Sequence, residues 1–112
     1  MRSKRYADAL FFCHLTIESR LKALVSLKIK KYPPLIHDLT KLTLLAKLEL
    51  PEDKTINLAE ITTFNIRARY DDYKFSFYKK ATKTYAEQYF KASKEILSWI
   101  KKDILKNMPK KA

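Results

Sequence analysis

Apolar residues recur along this chain at the three- and four-residue spacing of helices. From about Lys4 to Lys30, Tyr6, Leu10, Cys13, Ile17, Leu21 and Leu24 fall on one arc when each residue is turned by about 100°. Phe11, Leu15 and Ile29 widen the arc, and Phe12 lies well away from it. Such a helix is apolar on more than one side and is expected to lie centrally, with several neighbours. Tyr32-Pro33-Pro34 ends it, because proline lacks an N–H to donate and turns the preceding residue out of the helical region.

A second helix is expected over 37–49. Asp38 serves as its N-cap or as a first-turn carboxylate, and Leu39, Leu42, Leu45, Ala46 and Leu48 or Glu49 follow. Pro51-Glu52-Asp53-Lys54 reads as a loop. A third helix over 57–70 turns Leu58, Ile61, Phe64 or Asn65, and Ala68 inward. Asp71 to Tyr78 is polar, aromatic and mixed in charge, and reads as a loop. The clearest pattern is the last, over 81–106. There Tyr85, Tyr89, Ala92, Ile96, Trp99, Ile100 and Ile104 form one stripe, and Lys83, Glu87, Lys91, Lys94, Glu95, Lys101 and Lys102 take the other side. Asn107-Met108-Pro109 closes it. The expectation is all-α: a compact up-and-down bundle of about four helices, 4–30, 37–49, 57–70 and 81–106, in one domain spanning 1–112.

Composition sharpens this picture. The chain of 112 residues has no glycine, so the Asn-Gly type of hairpin turn is closed to it. The apolar fraction of 46% is too high for a disordered basic tail, and the length supports one core. No apolar run is long enough to span a membrane. Asp8 and the lack of a small-residue cleavage site argue against a signal peptide, which makes the cytoplasm the default location. Cys13 is the sole cysteine, and with only two histidines neither a disulfide nor a zinc cluster is expected. No metal or cofactor is expected.

Charge adds a candidate partner. The net charge is +12, and it is uneven. Residues 1–36 hold 8 basic and 2 acidic residues, residues 37–78 hold 6 and 7, and residues 79–112 hold 10 and 3. If the two terminal segments lie side by side, they build one basic surface that attracts phosphate through counterion release. Solubility alone is the plain alternative.

Three constellations carry candidate chemistry. His14, Glu18 and Lys22 recur every fourth residue of the first helix. The first two lie inside the apolar arc and Lys22 at its edge, so they must find partners there, and an interhelical hydrogen-bonded network is the structural alternative to a site. His37-Asp38 stands at a helix start, where capping or packing competes with catalysis. In Asn65 to Tyr73, Arg67 and Arg69 point to different sides of a helix. One can bond inward, to Glu60, Asp71 or Asp72, while the other meets phosphate, and Tyr70 and Tyr73 can stack on a base. There is no Gly-rich phosphate loop and no dinucleotide fingerprint. Cys13 and His14 cannot act as a nucleophile pair, because helix neighbours point apart.

At this point the sequence resembles a known family. Ala9 to Leu24 resembles the central helix of HEPN domains, and Pro33-Pro34-Leu35-Ile36-His37-Asp38-Leu39 resembles their proline turn and His-Asp-Leu. Phe64 to Tyr70 resembles the segment ending in Arg-Tyr, and Ala92 to Ile100 the last helix. The resemblance implies a helical bundle, usually a homodimer, often made beside a minimal nucleotidyltransferase as a toxin–antitoxin-like pair. Many members are metal-independent RNases with an Arg, then four to six residues, then a His, and others bind nucleotides or RNA without cutting. This chain departs from the RNase pattern. After Arg67 those places hold Asp72, Tyr73 and Lys74, and after Arg69 they hold Lys74, Phe75 and Ser76. Members often carry a further helix before the first one, and here Met1 stands too close for it, so a partner chain is expected to cover apolar surface, or the chain is a truncated form.

The leading expectation is thus a non-catalytic module binding nucleotide or RNA through Arg67, Arg69, Tyr70, Glu18 and Lys22, with a nucleotidyltransferase partner. The alternatives are an atypical metal-independent RNase toxin using His14 or His37 as base, and a helical protein-interaction module.

Overall fold

The computed structural model describes residues 2–108, and the side chains of all of these except Arg2, Ser3, Asp71 and Asp72. Five helices follow one another: α1 Arg2–Ile29, α2 Leu39–Leu45, α3 Glu52–Arg69, α4 Asp71–Lys80 and α5 Lys83–Asn107. No strand occurs among the described residues. The all-α expectation holds, with one helix more than the four read from the sequence.

The added helix is α4. Its stretch, read as a loop, carries a helical one-sided pattern too short to stand out: Phe77 is fully buried while Tyr73 and Phe75 are exposed. The chain breaks only at Tyr70, whose extended backbone (φ −102°, ψ 128°) separates α3 from α4. The Pro51 loop is also shorter than expected. Pro51 caps α3, and Glu52 and Asp53 stand in its first turn, where their charge favours the positive end of the helix dipole. In contrast, α2 is shorter than 37–49. Lys47 takes a left-handed backbone (φ 52°), and the amides of Lys47 and Leu48 return to the carbonyls of Leu44 and Thr43. This is the double hydrogen bond that closes a helix, formed here without the usual glycine. Lys30 also takes a left-handed backbone at the end of α1 (φ 56°), where its own amide donates to the Ser26 carbonyl. The expected stop at Pro109 lies outside the described residues.

As its broad apolar arc predicts, α1 is central and packs against all four other helices. Ala7, Leu10, Ile17, Leu21, Leu24 and Val25 are buried, while Phe12 stays 63% exposed. From α3 come Leu58, Ile61 and Phe64, and from α5 Ala86, Tyr89, Ala92, Ile96 and Ile100. Trp99 departs from the expected stripe and remains 40% exposed. Leu45, also expected inside, lies outside, and the fully buried Ala46 after it takes the inward place.

Phe64 ties three helices together. Its ring lies 5.4 Å from that of Phe77, 6.1 Å from Tyr85 and 5.5 Å from Tyr89, the last two edge-on. Such arrangements add to the burial energy of an aromatic side chain. Phe64→Ala should therefore lower unfolding free energy by about 3–5 kcal/mol, while Phe12→Ala should change it by less than about 0.5 kcal/mol, both read from urea denaturation followed by circular dichroism.

Candidate functional site

Residues spaced by four on a helix share a face, so α1 presents His14, Glu18 and Lys22 in a row. His37 reaches the same place from the other side of the Pro33-Pro34 turn. It stands one residue before Asp38, whose carboxylate accepts the amides of Thr40 (3.0 Å) and Lys41 (3.3 Å) and so starts α2. The next amide, Leu39, donates to Thr62 Oγ1 on α3 (3.2 Å). Cap and threonine together fix where His37 leaves the backbone.

Glu18 is the meeting point. Its Oε1 lies 3.1 Å from His14 Nε2 and 2.9 Å from His37 Nδ1, and its Oε2 accepts from Lys22 Nζ at 3.0 Å. Burial raises the Glu18 carboxyl, but the hydrogen bonds from His37 and Lys22, with their charges, outweigh it and hold the group below the ordinary glutamate value. An ionised Glu18 accepts only, so each imidazole donates through the nitrogen that faces it. His14 is fully buried. Burial brings its pKa down to about 4, the Glu18 charge opposing and His37 adding to the fall. Its Nδ1 is buried without a hydrogen-bond partner among the described residues, so protonation would place a second, unpaired N–H in the core. His14 is a neutral structural donor. The His37 side chain is 56% exposed, with Nδ1 committed to Glu18 and Nε2 left as its second ring nitrogen.

Arg67 belongs to another group. Glu60 Oε2 accepts from Tyr85 Oη (2.5 Å) and Lys80 Nζ (2.9 Å), with Arg67 Nη1 at 3.6 Å. This joins α3, α4 and α5. Burial raises the Glu60 carboxyl, yet the hydrogen bonds and cations hold it below its usual value, and burial followed by the Glu60 bond pushes the Tyr85 phenol up. Of the partners foreseen for the arginines, Glu60 takes Arg67, and the side chains of Asp71 and Asp72 lie outside those described. Two positions along a helix are turned by roughly 200°. Arg69 therefore lies on the flank of α3 that carries Thr62, away from Arg67, and it is exposed together with Tyr70.

The candidate residues thus form two groups rather than one cleft. Glu18 and Lys22 join both histidines, which the sequence had left as separate constellations. Arg67 is held by Glu60, and the parts played by Lys80 and Tyr85 had no signal in spacing. Among the described residues no cluster of three or more His, Cys, Asp and Glu side chains is placed to hold a metal ion, and no helix is long and apolar enough to cross a membrane. Burial pushes the Cys13 thiol up, away from the reactive thiolate.

His14 sets a pH dependence. Its folded pKa lies below the unfolded value, so the unfolded chain takes up the proton first, and stability falls with pH from about 6.5 towards 4, by about 3 kcal/mol at the lower end. Glu18, whose carboxyl is also lowered, adds its loss only below the ordinary carboxylate value. His14→Gln keeps a donor for Glu18 without the titration. Thermal melts across this range should show a steep slope in the native protein and a shallow one in the variant.

A family model for the HEPN domain matches residues 1–104. Set against curated proteins and solved structures, the chain matches none. The family match takes in all five helices but the last residues of α5, with both carboxylate clusters inside it, and the chain belongs to the HEPN family.

Proposed function

We propose that the chain is an RNA- or nucleotide-binding HEPN module whose contact surface is the edge where Lys22 and His37 meet Glu18, extended along the exposed flank of α3 by Arg69 and Tyr70. The observation that carries this reading is the convergence of His37 and Lys22 on one carboxylate at the protein surface, held from both sides by secondary structure. Three further facts support it. The net charge of +12 draws polyanions. Arg69 offers a planar fork to phosphate and Tyr70 a ring to a base. Arg67, tied to Glu60, acts as a support of α3 in this reading rather than as a contact. Partnership with a nucleotidyltransferase in a toxin–antitoxin-like pair is part of the proposal and rests on the family resemblance alone.

Labelled single-stranded RNA should bind at low salt and weaken steeply towards moderate salt. Lys22→Ala and Arg69→Ala should each weaken it and lower the slope of log affinity against log salt by about one. Unchanged affinity in both variants would remove this surface from the reading.

A second reading has one specific observation behind it. A histidine whose Nδ1–H is held by a carboxylate presents Nε2 as a proton acceptor, an arrangement used for general-base chemistry. In an atypical metal-independent RNase, His37 takes that part, with Glu18 orienting it. RNA incubated with the protein in EDTA should then be cut, and His37→Ala should lose cutting while keeping binding. Intact RNA after long incubation leaves the binding module alone.

A further inference from the structure

A groove of about 480 Å³ opens between the end of α1, the turn after α2 and the last turns of α5. Lys28, Lys47, Lys102 and Lys106 line it, with Trp99, Asp103 and Glu49. Asp103 is already committed: Oδ2 pairs with Lys28 Nζ at 2.8 Å, and Oδ1 accepts from Asn107 Nδ2 at 3.3 Å. Lys47, Lys102 and Lys106 form no ion pair among the described residues, and exposed Glu49 is the one further carboxylate on the rim. Cations gathered this closely repel one another unless an anion joins them.

Two more observations point to the kind of anion. Trp99 belongs by its spacing to the inner stripe of α5, yet its indole is 40% exposed in the groove, with Lys102 Nζ 5.9 Å from the ring centre. Lys47 holds a left-handed backbone at the one position of the turn where glycine is the unstrained choice. Lys30 takes the same backbone at the end of α1, so the turn is not itself a mark of a site, but at Lys47 it sets an ammonium group on the groove wall.

We propose that this groove is a second nucleic-acid contact, where a single-stranded stretch stacks a base on Trp99 and seats its phosphate among Lys47, Lys102 and Lys106. Stacking on an aromatic ring beside a basic groove is how single strands are held without sequence preference. The proposal rests on the RNA-binding reading for its class of ligand, but not on the His37 edge.

Trp99 is the only tryptophan of the chain, so its emission reports this groove alone. A uridine octamer titrated at low salt should quench Trp99 in step with binding followed by anisotropy of the labelled octamer. Lys47→Gly should weaken binding roughly three- to tenfold and reduce the salt slope by about one, while raising the melting temperature, because glycine relieves the left-handed turn. Loss of affinity in a better-folded variant is not explained by a structural role for Lys47. Octamer binding without quenching, unchanged affinity in Lys47→Gly, or equal quenching by inorganic polyphosphate would each overturn the groove. If Arg69→Ala and Lys22→Ala leave binding intact while Trp99 still quenches, the His37 edge fails and the groove stands. No binding at all removes both.

Discussion

The structure turns on a carboxylate set in a helix that has neighbours on nearly every side. α1 carries the broadest apolar surface of the chain and meets every other helix, so a polar residue on its inner face has little water to turn to. Glu18 is such a residue. Leaving it ionised and unpaired would cost far more than the marginal stability of a small domain permits. Three donors answer it, two from the same helix and one, His37, from beyond the proline turn. The need to satisfy one carboxylate thereby fixes the path of the chain between α1 and α2 and brings a half-exposed imidazole to the surface in a set orientation.

The same logic repeats around Glu60. There the donors come from α3, α4 and α5, and the carboxylate lies beside the aromatic contacts of Phe64 with Phe77, Tyr85 and Tyr89. Together the two carboxylates divide the cations of the protein into kinds. Arg67, Lys80 and Lys28 are engaged in holding the fold, Lys22 pairs with Glu18 at the edge of the fold, and Arg69, Lys47, Lys102 and Lys106 are open to solvent and to a ligand. A net charge of +12 says nothing of this division, which appears only once partners are assigned.

Much of the fold could be read from spacing. The central place of α1, the Asp38 cap, and the inward positions of α3 follow from periodicities that burial enforces. The misses have local causes. α4 is ten residues long, and its single fully buried aromatic, Phe77, gives too little repetition for a pattern. α2 stops early because Lys47 accepts a left-handed turn, which a chain without glycine does not announce. Trp99 fell on the apolar stripe by count, but it lies at the edge of that stripe, whose centre at this level is taken by the fully buried Ile96 and Ile100. At the site, His14, Glu18 and Lys22 were visible as a row, while the meeting of His37 with Glu18, 19 residues apart, is a tertiary fact. Arg67 had Glu60 among its foreseen partners, and that choice too was made by packing.

Glu18 is an ionised acceptor shared by both histidines, and nitrogen-15 NMR of the two imidazole rings tests this most directly. His14 should appear as a neutral ring protonated on Nε2, staying neutral down to about pH 4, and His37 should keep its proton on Nδ1 when neutral. In Glu18→Ala both preferences should vanish. A His14 ring that titrates like free imidazole, with both rings showing the tautomers of an exposed side chain, would contradict the shared carboxylate and the surface built on it.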